Sequence, residues 1–230
     1  MEFIKKHPHQ LFPCIVLILF LILFTILAFG IRDTRLTWFL ECAPAIIALP
    51  ILIFTYKKFP LSNFLYGLIF IHMLILVYGG HYSYANAPLG EWMSEWFGWS
   101  RNNYDKIGHF MQGFGPALYA REIMLRTSPL KDGKWVNFNC FSIAMMVSAI
   151  YEIIEWLASL SNPEDTEAFL GTQGYIWDTQ TDMFMCMIGS ILALVLFRKL
   201  HDKSMNKVLA WFDAKPAEPS DVKPDGASGE

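Results

Sequence analysis

Three pairs of ionisable residues stand at helical spacing beside or within strongly apolar segments of this chain. The pairs are Asp105 with His109, Glu152 with Glu155, and Asp178 with Asp182. Residues three or four apart project from one face of a helix, so each pair predicts a polar stripe. Ionisable side chains at membrane depth are costly, and they usually face a protein interior or a water-filled cavity. The pairs therefore predict a shared polar site.

The residue types in these stripes suit a divalent cation. Crowded carboxylates repel one another unless a proton, a cation or a basic side chain lies between them. One imidazole with several carboxylates is a ligand set for Mg²⁺, Mn²⁺ or Zn²⁺. The predicted metal ligands are Asp105, His109, Glu152, Glu155, Asp178 and Asp182. The chain has no HExxH motif or histidine cluster, so this pattern is not diagnostic of a metal.

Catalysis and transport are both compatible with these residues. A bound metal would activate water or polarise a phosphoryl oxygen, with His109 or Glu152 as the predicted catalytic base. Without a metal, the same side chains would form a proton relay for transport. Polar residues are sparse in the other apolar segments, where Glu41 and His72 stand almost alone. That distribution favours a local site over a path through the membrane.

Each polar residue also has an ordinary structural interpretation. Glu155 would extend its carboxylate to the membrane interface, and Asp178 would cap a helix N-terminus. His72 is predicted to be a core histidine with satisfied hydrogen bonds. Arg121 and Glu122 are predicted to be charges at a membrane boundary. Against these interpretations stands the expectation that His109, Glu152 and Asp182 lie at one depth on one side.

The composition predicts an all-α polytopic transmembrane bundle. Hydrophobic residues make up 54% of the 230 and aromatic residues 16%, which is too apolar for an ordinary soluble domain. Apolar runs near the ~20 residues needed to cross a bilayer predict six spans. These are residues 11–31, 37–56, 61–80, 106–124, 136–160 and 179–200. The net charge of −3 indicates nothing about partners, and no basic patch suggests a nucleic-acid partner.

Regions outside the spans are predicted from polarity and turn residues. Residues 1–10 would be a cytoplasmic N-terminus, 11–207 the six-span membrane domain, and 208–230 a disordered cytoplasmic tail rich in Pro, Gly and charge. The loop 82–103 contains GEWMSEWFGW, which predicts an interfacial amphipathic helix, with a lid as the alternative. The fourth span is weakly hydrophobic and rich in glycine, so it should be central and shielded from lipid.

Basic residues predict the orientation of the chain. With six spans, 14 of the 18 Lys and Arg residues fall on the side of the N-terminus. Cytoplasmic segments carry an excess of Lys and Arg, so both termini should be cytoplasmic. The polar stripes would then lie near the outer face.

Three strings carry a resemblance to a known family. They are YDKIGHFMQGFGPALYAREIMLR, SAIYEIIEW and FLGTQGYIWDTQTDM with a following IGS. Across residues 61–200 the chain resembles the YjdF family, bacterial inner-membrane proteins carrying a domain of unknown function. The order of DKxxHF, an acidic helix and a late Asp-rich span resembles the VanZ-like membrane proteins more loosely. The resemblance implies a bacterial inner-membrane location.

Three functions remain open from the sequence. The leading one is an integral membrane protein with an outward-facing site, acting as a metal-dependent hydrolase on a lipid or envelope-linked substrate. The second is a small proton- or cation-coupled transporter, and the third is a structural membrane protein whose buried polar network fixes helix packing.

Overall fold

Residues 8–161 and 174–213 are described by a computed structural model, and within these ranges the chain is helical without a β-strand. The helices are α1 Pro8–Ala28, α2 Arg35–Thr55, α3 Asn63–Tyr82, α4 Pro88–Phe97, α5 Tyr104–Thr127, α6 Lys134–Ser161, α7 Asp178–Leu196 and α8 Arg198–Asp213. A 3-10 turn, Tyr84–Asn86, joins α3 to α4. The predicted all-α class is confirmed. The predicted N-terminal segment up to residue 7 and the tail from residue 214 lie outside the described residues.

Five helices have the length and apolar composition to cross a membrane: α1, α2, α3, α6 and α7. Helix α5 is long enough at 24 residues but is more polar. It packs against α3, α6 and α7, and most of its surface is covered by protein. A helix shielded in this way does not need a lipid-compatible surface, and the predicted membrane span at α5 stays a prediction. The six long helices thus form a bundle with α5 at its centre.

Side-chain caps fix where two of the helices begin. The Thr34 hydroxyl oxygen accepts the Thr37 amide N–H at 3.1 Å at the start of α2. The Ser62 hydroxyl oxygen accepts the Leu65 amide N–H at 3.4 Å at the start of α3. Such caps satisfy amide donors that the first helical turn leaves unpaired. The polar turns of the sequence are therefore helix boundaries.

Two glycines allow α5 and α7 to approach closely. A Cβ atom at Gly113 of α5 would collide with the backbone carbonyl of Cys186 on α7. A Cβ atom at Gly189 of α7 would collide with the backbone carbonyl of Phe110 on α5. Backbones at this separation exclude any larger residue. The contact brings the N-terminal turns of α5 and α7 together.

Helix α4 corresponds to the predicted amphipathic helix of the long loop. It begins with Pro88 and ends before Gly98, whose φ of 68° is the left-handed conformation typical of a helix C-terminus. Trp92 and Trp96 are exposed, Trp96 at 73%. Indole rings favour the headgroup level of a bilayer, so α4 is suited to lie at the interface.

Helix α8 was not predicted from the sequence. It buries Met205 and Val208 against the bundle and exposes Lys203 and Lys207. The predicted domain boundary after Lys207 therefore falls within a helix. Its apolar face is short and charged residues dominate the segment, so the sequence alone predicted a charged tail there rather than a helix.

A buried ionic network joins α8 to α3 and α5. The Nε2 atom of His201 lies 2.9 Å from Oε2 of Glu122, and the Ser62 amide donates to Glu122 Oε1 at 2.8 Å. Nη1 of Arg121 lies 2.6 Å from Oδ1 of Asp202. Arg121 and Glu122 have no exposed surface. Both predicted boundary charges are thus buried within the protein, because α8 covers them with its own ionisable residues; their depth in the membrane stays a prediction.

Candidate functional site

The three predicted polar stripes meet between α5, α6 and α7. Nδ1 of His109 on α5 lies 3.5 Å from Oε1 of Glu152 on α6. Nε2 of the same ring lies 3.7 Å from Oδ1 of Asp182 on α7. All three side chains are buried. The imidazole therefore stands between a glutamate of one neighbouring helix and an aspartate of the other.

Two basic side chains neutralise the aspartates of this site. Nζ of Lys106 lies 2.7 Å from Asp182 Oδ1, 2.8 Å from Asp178 Oδ1 and 3.2 Å from Asp105 Oδ2. Nη2 of Arg101 lies 2.8 Å from an oxygen of both Asp105 and Asp178. Three carboxylates and two cations leave this group with a formal charge of −1. It is an ion-pair network that holds the loop before α5 and the start of α7 together.

The second group has no such neutralisation. One ligand atom each from His109, Glu152 and Glu155 lie within 4.8 Å of one another. Within the described part of the chain, neither glutamate forms an ion pair with Lys or Arg. Oε1 of Glu152 is buried and has no hydrogen-bond partner there. Oε1 of Gln112 lies 3.2 Å from His109 Nδ1 and helps to orient the ring.

The six predicted metal ligands thus separate into two clusters. Asp105, Asp178 and Asp182 also have ligand atoms within 4.8 Å of one another. Their oxygens, however, already accept from Lys106 and Arg101. A cation at that cluster would have to displace those ion pairs, whereas His109, Glu152 and Glu155 offer an imidazole and two carboxylates without a competing cation. The second cluster fits a borderline divalent cation better.

A cavity of about 390 Å³ opens beside the second cluster. Its volume lies within the range of small-molecule sites, and its wall is mainly apolar with a few converging polar groups. Polar lining residues from four helices and the 3-10 turn are Glu41, His72, Tyr84, Asp105, His109, Gln112, Tyr119, Tyr151 and Glu155. The remaining lining is aliphatic or small. The cavity is therefore suited to an amphipathic molecule.

Several residues of this region were not predicted to belong to the site. His72 was predicted to be a core histidine, and it lies inside the bundle, where it lines the cavity together with Tyr119, whose hydroxyl is buried without a hydrogen-bond partner in the described part of the chain. Arg101 was not predicted to belong to the site, because it lies in a loop outside the helical stripes. Tyr84 lies in the 3-10 turn, and burial raises the pKa of its phenol well above the usual value. Its phenol therefore remains protonated at physiological pH. Only the clustering of Tyr and His on apolar helices could have indicated these positions.

Comparison with known proteins places the chain in a family. Residues 12–203 match the family model described as "Predicted membrane protein (DUF2238)". The chain is 44% identical over 173 residues to the inner membrane protein YjdF of Escherichia coli (strain K12). That alignment covers 75% of this chain and 83% of the relative. No solved structure matches.

The chain belongs to the DUF2238 membrane protein family, because the family model matches most of its length. The resemblance predicted from the sequence strings is confirmed. The apolar helices and the Escherichia coli relative support a bacterial inner-membrane location. The orientation of the termini stays a prediction.

Proposed function

We propose that this member of the DUF2238 family is a membrane-embedded hydrolase that acts on a lipid or envelope-linked substrate. Its site would hold a divalent cation between His109, Glu152 and Glu155. The observation that carries the proposal is Oε1 of Glu152, which is buried without a hydrogen-bond partner 3.5 Å from the His109 ring. A buried carboxylate oxygen left unpaired is costly, so a cation or a proton donor belongs beside it.

The chemistry of the cluster suits hydrolysis. A bound divalent cation would supply a Lewis acid that polarises the scissile group. Glu152 would accept the proton of an attacking water, whose oxygen bonds to the carbonyl carbon or phosphorus. As the bond to the departing oxygen breaks, His109, 3.5 Å from Glu152 Oε1, would relay that same proton from Glu152 to the departing oxygen, so that one water is consumed and both side chains return to their starting state.

The ion pairs of the aspartate cluster would position this centre. Asp182 faces Nε2 of His109 and also accepts from Lys106, which holds the carboxylate in place. Asp182 is therefore proposed as a positioning residue. Asp105 and Asp178 would act further from the reaction by fixing Lys106 and Arg101.

The proposal is tested by incubating purified protein with a total lipid extract of a bacterial inner membrane and 1 molar equivalent or more of Mn²⁺. Mass spectrometry should show the loss of at least one lipid species and the gain of its hydrolysis products. Glu152→Gln should abolish the change, whereas Lys131→Gln, an exposed substitution outside the bundle, should not. If no lipid species changes in the presence of Mg²⁺, Mn²⁺ or Zn²⁺, the proposed hydrolase activity is contradicted.

A specific observation also supports a cation- or proton-coupled transporter. His72 and Tyr119 line the same cavity as His109, so polar groups extend further along α3 and α5 than the sequence indicated. In that case protein reconstituted in liposomes would dissipate an imposed pH gradient, and His72→Leu would slow the flux. A wild-type protein that leaves the gradient unchanged would remove this second function.

A further inference from the structure

The face of helix α2 that lines the cavity changes from polar to apolar along the helix. Its lining residues, all on one helical face, are Glu41, Pro44, Ala48, Ile51 and Leu52. The carboxylate stands at one end of this stripe and aliphatic side chains follow it over eleven residues. At about 1.5 Å per residue the stripe is ~16 Å long, close to half of the ~30 Å hydrocarbon core of a bilayer. One wall of the cavity thus has the length of an acyl chain in one leaflet.

Helix α6 forms a second wall of the cavity, and its lining residues also change from apolar at one end to a carboxylate at the other. Val147, Tyr151 and Glu155 line the cavity at intervals of four residues, so they share one helical face. Because α2 and α6 run in opposite directions in an up-and-down bundle, Glu41 and Glu155 belong to the same end. The cavity therefore has a carboxylate end and an apolar end.

The two walls do not pack on each other. Within the described residues, α2 packs mainly on α3, and α6 packs on α5 and α7, with no extended interface between α2 and α6. Ile51 of α2 lines the cavity and is nevertheless 55% exposed, and Ile150 of α6 is also exposed and apolar. A separation between two lipid-facing helices gives a molecule in the bilayer a lateral route to the cavity.

The carboxylate end selects the chemistry of a headgroup. Oε1 of Glu41 accepts the Tyr84 amide N–H at 3.3 Å, but Oε2 is buried without a partner, and only 3% of the residue is exposed. Among the described residues that line the cavity there is no Lys or Arg. A hydroxyl or ammonium group would donate a hydrogen bond to Glu41 Oε2, whereas a carboxylate headgroup has no donor for this oxygen and would itself be buried beside it without a cation.

We propose that the cavity binds one chain of an amphipathic lipid whose headgroup carries a hydroxyl or ammonium donor, with the donor on Glu41 and the chain along α2. The inference deepens the proposed hydrolase by naming its substrate class, and for any reaction it rests on that function. Binding itself needs no metal, so the two proposals can fail separately.

The test uses three photoactivatable single-chain lipids of equal length, with an ammonium, a hydroxyl or a carboxylate headgroup. Full-length protein in detergent with EDTA is crosslinked to each, and labelling is quantified by mass spectrometry. The ammonium and hydroxyl lipids should label α2 and α6 about tenfold better than the carboxylate lipid, a factor that corresponds to about one hydrogen bond. Glu41→Gln should remove that preference while labelling by the hydroxyl lipid persists.

Matched variants locate the binding. Ala48→Trp fills the apolar wall and should reduce labelling by all three lipids, whereas Ile47→Trp, one residue away with Ile47 61% exposed, should leave it unchanged. Equal labelling of the Ala48→Trp and Ile47→Trp proteins would overturn the proposal, as would a preference for the carboxylate lipid. Retained folding is checked by the elution profile and thermal midpoint of each variant.

The same variants separate the lipid from the cation. Divalent-cation binding should be unchanged in Ala48→Trp, because Ala48 lies outside the metal cluster. Lost lipid labelling in the wild type with intact cation binding would overturn the lipid inference alone. Intact labelling without cation binding would instead overturn the proposed metal centre and leave the lipid site.

Discussion

Nζ of Lys106 lies 2.7 Å from Oδ1 of Asp182, and this contact joins α5 to α7 within the aspartate cluster. Because of this ion pair, the two adjacent acidic clusters differ in whether a protein cation lies beside their carboxylates. The aspartate cluster is paired with two protein cations, whereas within the described residues the neighbouring Glu152 and Glu155 form no ion pair with Lys or Arg. The distinction decides which of the predicted ligands would hold a metal and which would support them.

Lys106→Met should destabilise the protein strongly. The substitution leaves Asp182 without its Lys partner, while Arg101 still pairs with Asp105 and Asp178, and breaking a buried ion pair costs about 3 kcal/mol or more. The expected result is a clearly lower thermal midpoint in detergent, partly restored by adding Asp182→Asn, which removes the unpaired charge. Lys131→Met is the exposed control. Equal midpoints for Lys106→Met and this control would show that the network does not stabilise the fold.

Gly113→Ala and Gly189→Ala should each separate α5 from α7. Each added methyl group meets a backbone carbonyl of the facing helix, which cannot rotate away. Overpacking of this kind typically costs about 1–3 kcal/mol, measured as the change in unfolding free energy. Gly67→Ala is the matched control, because its Cβ would be 3.5 Å from the Phe12 ring, an ordinary contact. A larger loss in the Gly67 variant would contradict the close-packing argument.

The sequence predicted the spanning helices well because long apolar runs leave few alternatives. Helix α5 was recognised despite its polarity, because its glycines and weak hydropathy predict a shielded position. Helix α8 was missed because its charged residues dominate the composition of a short amphipathic segment. The burial of Arg121 and Glu122 depends on α8, so it could not be predicted once that helix was absent.

The sequence predicted which polar residues come together, but not that they divide into an ion-paired cluster and a second cluster without Lys or Arg. Helical spacing was enough to align His109, Glu152 and Asp182. It could not show that Lys106 reaches two residues of α7, because a flexible side chain can point in several directions. The role of His72 and Glu41 in a common cavity is a tertiary property, since these residues stand on different helices.

His201→Ala should loosen α8 from the bundle. The variant removes a buried partner 2.9 Å from Glu122, and a hydrogen bond to a charged group contributes about 1.5–3 kcal/mol. Limited trypsin digestion should then cleave at Lys203 or Lys207 at least several times faster than in the wild type. Lys199→Ala, at an exposed position of the same helix, should cleave at the wild-type rate. Unchanged cleavage in His201→Ala would show that other contacts hold α8.

The orientation follows from the basic residues and is open to a labelling experiment. Glu95→Cys on α4 should react with a membrane-impermeant maleimide added to sealed cells, and Asn206→Cys on α8 should react only after permeabilisation. Both positions are exposed, and the native cysteines in the spans give the wild-type background. Labelling of position 206 in sealed cells would reverse the predicted topology.

The most direct test of the metal centre is calorimetric titration of the purified protein with Mn²⁺ and Zn²⁺ at pH 7, after chelation and dialysis. The wild type should bind one equivalent, and Glu152→Gln should lose that binding while eluting as the wild type does. Asp178→Asn should retain it, because Asp178 pairs with Lys106 and Arg101 rather than with the proposed ligands. A wild type without binding, or an Asp178→Asn variant that loses it as fully as Glu152→Gln, would contradict a cation held by His109, Glu152 and Glu155.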